Sequence, residues 1–161
     1  MLRSIKEIKN LKNKHILVRV DFNVPVKNKK VLDDSRICAS IPTIEYLCKK
    51  GAKVILITHL GRPEGKVISE LSLAPVARKI QALLKHKVQF LNDPFGEKEN
   101  AALAKMKAGD VALFENIRFF PEEENNDDDF TRQLASLADI FVLDGFAVAH
   151  REAASVSGVQ K

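Results

Sequence analysis

The stretch His15-Ile16-Leu17-Val18-Arg19-Val20-Asp21-Phe22-Asn23, followed at once by Val24-Pro25-Val26, decides the fold. Ile16, Leu17, Val18 and Val20 make a short, mostly β-branched apolar run, the pattern of a strand buried in a sheet. Arg19 interrupts the run, and Asp21 and Asn23 close it. Two residues apart on extended backbone, Asp21 and Asn23 face the same way. In an open parallel sheet, ligands sit in the crevice beyond the carboxyl ends of the strands. An acceptor-only carboxylate beside an amide could grip a hydroxyl there. The same pair also reads as a turn, because Asp and Asn end strands by bonding to their own backbone. This stretch alone leaves both readings open.

Outward from it, apolar runs recur at residues 53–58, 88–91, 111–114 and 140–143. Helical patterns lie between them. Asp33-Asp34-Ser35 offers an N-cap for a helix carrying Ile37, Ile41, Ile44, Tyr46 and Leu47. Pro42 is expected to kink or restart that helix, and Lys49-Lys50-Gly51 ends it. Leu71 to Pro75 opens a second helix, with Val76, Ile80, Leu83 and Leu84 on its apolar face. A third is expected over about 97–107, ended by Gly109, and a fourth is marked by Phe130, Leu134, Leu137 and Ala138. Val24-Pro25-Val26 and Val31-Leu32, joined by a polar turn, read as a small hairpin.

Strands that are continuous apolar runs and alternate with helices imply right-handed crossovers. The expected fold class is α/β, a mostly parallel sheet with helices on both faces, a Rossmann-like three-layer domain over residues 1–161. The acidic run from Glu122 to Asp129 reads as a solvated loop leading into a negatively charged helix start.

At 161 residues the chain has room for one domain with a real core. A hydrophobic share of 45% excludes a disordered chain. No apolar run is long enough to span a bilayer and no secretory signal is visible, so a cytoplasmic protein without membrane contact is expected. The net charge of +5 is spread over Lys-rich segments, without Trp and with one Tyr, which gives no stacking platform for nucleic acid. Cys38 and Cys48 fall ten residues apart in one helix, about 15 Å along its axis. That is too far for a disulfide, and free, mostly buried thiols are expected. The histidines show no metal-ligand spacing.

Four strand ends carry polar signatures: Asp21 and Asn23; Thr58-His59-Leu60-Gly61-Arg62-Pro63; Glu115-Asn116-Ile117-Arg118-Phe119; and Asp144 through Arg151. A parallel sheet brings these to one edge. Arg62, Arg118, Arg151, His59 and His150 would then share a rim, and Arg36 could join from the next helix. Gathered like charges raise one another's cost, and a phosphate- or carboxylate-bearing anion would reward them through the guanidinium fork. For each arginine singly, a salt bridge to a nearby acid is an equal alternative. His59 is expected to touch a ligand, and His150 to be structural. Residues 61–67, Gly-Arg-Pro-Glu-Gly-Lys-Val, mimic a phosphate-binding P-loop, but the spacing is short, no Ser or Thr follows the lysine, and a proline stands where amides are needed.

These same segments, Arg19 to Pro25, Thr58 to Pro63, Glu115 to Phe119 and Ala149 to Arg151, together with Asp33 to Ile37, resemble the N-terminal domain of phosphoglycerate kinases over nearly the whole chain. The resemblance implies phosphoryl transfer between 1,3-bisphosphoglycerate and ADP, giving 3-phosphoglycerate and ATP in glycolysis. It implies that Asp21 and Asn23 hold the glycerate hydroxyl, and that His59, Arg62, Arg118 and Arg151 hold the non-transferring phosphate. The adjoining Phe22, Leu60 and Gly61 belong to the same substrate-binding set. Arg36 would stand at the reacting carboxyl end as the catalytic residue. It further implies that Mg-ATP or Mg-ADP is bound by a separate C-terminal domain missing from this chain, that the domain alone is inactive, and that the enzyme is a monomer. The family's Asn-Asp-Ala-Phe-Gly-Thr reads here Leu143-Asp144-Gly145-Phe146-Ala147-Val148. Alanine would be strained at Ala147 if the family's glycine there has positive φ.

Overall fold

The computed structural model describes residues 4–160. In chain order the regular elements are β1 (His15–Val20), β2 (Val26–Lys27), β3 (Lys30–Val31), α1 (Ser35–Lys49), β4 (Lys53–Ile57), α2 (Ala74–Leu84), β5 (Val88–Leu91), α3 (Glu97–Ala104), β6 (Val111–Phe114), α4 (Pro121–Glu124), α5 (Asp128–Ser136) and β7 (Ile140–Asp144). Five strands pair in parallel in the order β5-β6-β4-β1-β7, and β2 and β3 form a separate antiparallel hairpin.

The two-residue strand period sorts the core. Ile16, Val18 and Val20 of β1, Val54 and Leu56 of β4, and Val111 and Leu113 of β6 meet Ile37, Ile44 and Leu47 of α1 and Val76 and Ile80 of α2. Leu17, Ile55, Ile57, Ala112 and Phe114 project to the opposite face, where Leu103, Met106 and Leu137 cover them. Arg19 has the same parity as Leu17 and therefore points to this second side. The expected helices on both faces are present, and each strand is as apolar as double coverage demands.

Four local expectations need correction. α1 runs through Pro42 without a break, because its buried face of Ile37, Ile44 and Leu47 outweighs one missing amide bond. Its N-cap Asp34 makes no capping bond and pairs with Lys79 at 2.8 Å, while Asp33 accepts the Ser35 amide at 2.8 Å. Cys38 is exposed and Cys48 half-buried, because they fall off that apolar stripe. The acidic run is not wholly a solvated loop: it contains α4, and Glu123 is buried. The chain condenses there because Phe95, Phe120 and Phe130 pack edge-to-face and tilted, with ring centroids 5.2–6.2 Å apart, and pull α4 and α5 together.

Two stability outcomes follow from this packing. Phe114→Ala empties a fully buried site in β6 and should lower unfolding free energy by about 3–5 kcal/mol. In the β2–β3 turn, Asn28 and Lys29 both have positive φ, 50° and 56°, which an Asn-Gly pair suits better. Lys29→Gly should leave the fold intact and raise stability by up to about 1 kcal/mol. Urea unfolding followed by far-UV circular dichroism checks both. An unchanged midpoint in Phe114→Ala, or a lowered one in Lys29→Gly, contradicts the respective reading.

Candidate anion-binding site

After β4 the chain leaves for the face that carries α1 and α2. After β6 it leaves for the opposite face. These adjacent strands therefore open a crevice at their carboxyl ends, the usual ligand position in such sheets. One buried side chain ties its two walls together. The Asn116 amide donates to Leu60 O at 2.7 Å and Leu71 O at 3.0 Å, and its oxygen accepts from Leu60 N and Arg118 N, each at 3.2 Å. Beside it the Glu115 carboxylate accepts from Leu73 N, Asn116 N and Ser72 Oγ, which anchors the start of α2.

Gly61 joins this frame to the end of β1. Its N–H donates to Asn23 Oδ1 at 3.0 Å, and its carbonyl accepts from Arg118 Nη1 at 2.9 Å. The residue has φ +62°, and an added Cβ would come 2.8 Å from Leu71 Cδ2, so both backbone and space demand glycine. Asp21 bears out the turn reading of the opening stretch. Its Oδ1 accepts the Asn23 amide at 3.3 Å, a local turn bond, and its Oδ2 accepts from Arg36 at 2.9 Å. Phe22 and Leu60 point their side chains into the core. The Phe22 amide is taken by Thr58 Oγ1 at 3.0 Å.

Beneath the rim lies Arg19, 2% exposed within β1. It donates to Ser155 Oγ at 2.9 Å, to Val20 O at 2.5 Å, to Thr58 Oγ1 at 3.5 Å and to His59 Nδ1 at 3.0 Å. Glu123 supplies the counter-charge at one remove: its carboxylate accepts from Ser155 N at 2.8 Å and Ser155 Oγ at 2.5 Å. Burial lowers the Arg19 pKa to about 10, against the opposing pull of Glu123. Burial raises that of Glu123, with Ser155 and Arg19 pulling the other way. Arg19, Thr58, Asn116, Glu123 and Ser155 were not singled out as site residues from sequence. Thr58 and Asn116 stood within the polar strand-end signatures, and Arg19 carried a signal of its own, a charge inside an apolar strand, which must find partners if buried.

The arginines converge. His59 is driven down to about 2, first by burial and then by the fields of Arg19, Arg118, Arg151 and Arg36. Arg118 is lowered by burial and by Arg151 and Arg62, with Glu124 opposing at 3.5 Å. Arg62 and Arg151 are exposed and form no ion pair with the described residues, whereas Arg36 and Arg118 each have one. The salt-bridge alternative thus holds for two of the four. His150, expected to be structural, is exposed and makes no side-chain hydrogen bond among the described residues. Beside Arg36, a cleft of about 850 Å³ runs past Asp21, Ser40, Asp144 and Phe146. Ala147 lies in a 3-10 turn, Phe146–Val148, outside the positive-φ residues, so the expected strain is absent. Leu143 packs with Val148, Ala153 and Val156 under the segment that carries Arg151.

A family model described as phosphoglycerate kinase matches residues 5–161. Curated relatives include phosphoglycerate kinases of Moorella thermoacetica, 57% identical over 149 residues, and Dictyoglomus turgidum, 55% identical over 150. These alignments cover 92% and 93% of this chain, but 38% of each relative. Among solved structures, phosphoglycerate kinase from Coxiella burnetii superposes with a TM-score of 0.85 at 41% identity, covering 96% of this chain and 38% of that one. The enzyme from Pyrococcus horikoshii gives 0.84 at 36% identity, covering 96% and 39%. Matched from Ile5 onward in sequence and across its whole sheet in structure, the chain belongs to the phosphoglycerate kinase family.

Proposed function

We propose that this chain forms the 3-phosphoglycerate-binding domain of a two-domain phosphoglycerate kinase, which moves a phosphoryl group between 1,3-bisphosphoglycerate and ADP in the cytoplasm, as a monomer. The observation that carries the reading is the convergence of Arg36, Arg62, Arg118, Arg151 and His59 on one sheet edge, next to Asp21 and Asn23.

The hydrogen-bond inventory suits a glycerate hydroxyl. Asn23 Oδ1 is taken by Gly61 N, which leaves its amide hydrogens to donate to the hydroxyl oxygen. The Asp21 carboxylate can only accept, and so receives the hydrogen bond that the hydroxyl donates. Gly61, Leu60 and Phe22 serve this subsite through their backbone groups and their packing. Arg62 and Arg151, exposed and without an ion pair among the described residues, reach for the non-transferring phosphate from opposite loops. Arg118, fixed by Gly61, and His59, fixed by Arg19, form its floor. Arg36 stands by the open cleft, where charge shifts as the phosphoryl group moves between the carboxylate and its donor. A preorganised cation is worth most at that position.

The reaction also needs a Mg-nucleotide as phosphoryl donor or acceptor. We place it on the remaining part of the longer relatives, so the domain alone should not turn over. Among the described residues no helix is long and apolar enough to cross a membrane.

Calorimetric titration of the chain should show weak, saturable binding of 3-phosphoglycerate and no heat from ATP. Tight ATP binding without a 3-phosphoglycerate response would sink the proposal. In a full-length enzyme carrying these residues, Arg36→Ala should lower the turnover number by roughly 10²-fold or more. Arg62→Ala should act mainly on the Michaelis constant, since its contacts are alike in ground and transition states. Near-normal turnover in both variants at saturating substrates would remove Arg36 from the catalytic role.

A further inference from the structure

The hydrogen bonds under the arginine rim run in one direction, and they leave His59 no choice of proton position. A carboxylate accepts only, so Glu123 takes both the Ser155 N–H and the Ser155 O–H. That hydroxyl has one proton, now committed, and so receives the Arg19 Nε–H on a lone pair. A guanidinium has donors and no acceptor. The 3.0 Å contact between Arg19 Nη2 and His59 Nδ1 can therefore exist only with Nδ1 unprotonated. The single ring proton must sit on Nε2. That atom makes no hydrogen bond among the described residues and is not among the fully buried, unpartnered polar atoms, so although His59 is only 3% exposed its proton is left available to a ligand.

We propose that Glu123, Ser155 and Arg19 form a buried positioning chain that holds His59 as the neutral, Nε2-protonated tautomer, so that the ring meets an anion as a hydrogen-bond donor and not as a cation. The surroundings favour this state from every side. Arg19 of β1, Arg36 of α1, Arg118 after β6 and Arg151 after β7 all oppose a charge on the ring. The nearest acids are already engaged: Glu123 with Ser155, and Asp21 with Arg36. Histidine is ordinarily the side chain that switches charge between about pH 5 and 8, and here that switch is removed. The site keeps one donor of constant character, and only the anion's own second ionisation, near pH 6 for a phosphate monoester, remains pH-sensitive. The role of the donor rests on the anion-binding reading above. The tautomer does not.

The test is long-range proton–nitrogen correlation NMR on the ligand-free chain with ¹⁵N-labelled histidine, with His59 assigned by the loss of its signals in His59→Gln. His59 should show the pure Nε2–H pattern, unchanged from pH 5.5 to 8. An Nδ1–H pattern, or a titration inside that window, overturns the proposal. Arg19→Met should mix the two tautomers, because the donor that requires an unprotonated Nδ1 is gone. Ser155→Ala, a smaller change, should shift the pattern in the same direction, and an unaltered spectrum in Ser155→Ala would remove Glu123 and Ser155 from the chain. Stability gives a readout independent of any ligand. The folded His59 pKa lies below the unfolded value of about 6.5, so the unfolded chain takes up the proton first. Folding stability should therefore fall as pH drops below about 6.5, with a slope of one proton. His59→Gln should lose that slope between about pH 5 and 6.5, and retention of the full slope counts against a neutral His59. A fixed tautomer with no 3-phosphoglycerate binding would defeat the substrate reading and leave the positioning chain standing.

Discussion

A guanidinium buried in an interior strand of a parallel sheet is the constraint on which the rest of this structure depends. Arg19 sits one residue before the carboxyl end of β1, flanked by Ile57 of β4 and Leu143 of β7. An ion taken out of water there is strongly unfavourable unless its donors are matched. The donors are matched by four groups from three different places: Val20 on its own strand, Thr58 and His59 after β4, and Ser155 near the end of the chain. Glu123 then reaches Ser155 from α4, and its carbonyl accepts the Ala154 amide at 3.0 Å. Satisfying one charge thus docks the post-β4 loop, α4 and the segment after Arg151 onto the same edge.

Above this base lies a second layer held by bonds between side chains and the main chain. Asn116, Gly61 and Asn23 link the ends of β6, β4 and β1 without using any arginine except Arg118. The result is a cross-linked floor with Arg62 and Arg151 exposed around it, without ion pairs among the described residues. A ligand that meets such a floor loses little free energy in ordering it, and the exposed arginines lose entropy only at the moment of contact. The unpaired charges repel one another, so an anion that neutralises them should also stabilise the fold by mass action.

Arg36 differs from its neighbours because it is already paired, with Asp21 at 2.9 Å and a half-exposed side chain. Under the proposed function, both partners of this pair are needed by the substrate. Exposed pairs of this kind contribute little, about 0–1 kcal/mol, so exchanging the Asp21 contact for a substrate contact costs little. The open cleft beside Arg36, past Asp144 and Phe146, is the side from which a reacting partner could approach.

The strand-and-helix order, the parallel sheet and the gathering of Arg62, Arg118, Arg151 and His59 at one edge were legible in the sequence. Apolar runs of the right length and the right-handed crossover rule leave few other arrangements, and the loops' motifs then follow the strand ends. The charge of Arg19 could be seen as well, but not whom it would bind. Ser155 lies 136 residues away in the chain, and Glu123 sits in an acidic stretch that by composition alone belongs in water. The unbroken passage of α1 through Pro42 and the exposure of Cys38 were likewise set by which helix face met the sheet. Periodicity reports which residues share a face, because that is a property of local backbone geometry. Which polar groups meet inside depends on how faces stack after hundreds of ångströms of chain have been folded back. Only the tertiary structure could place Glu123, Ser155, Arg19 and His59 in one line of hydrogen bonds, because no local rule relates them.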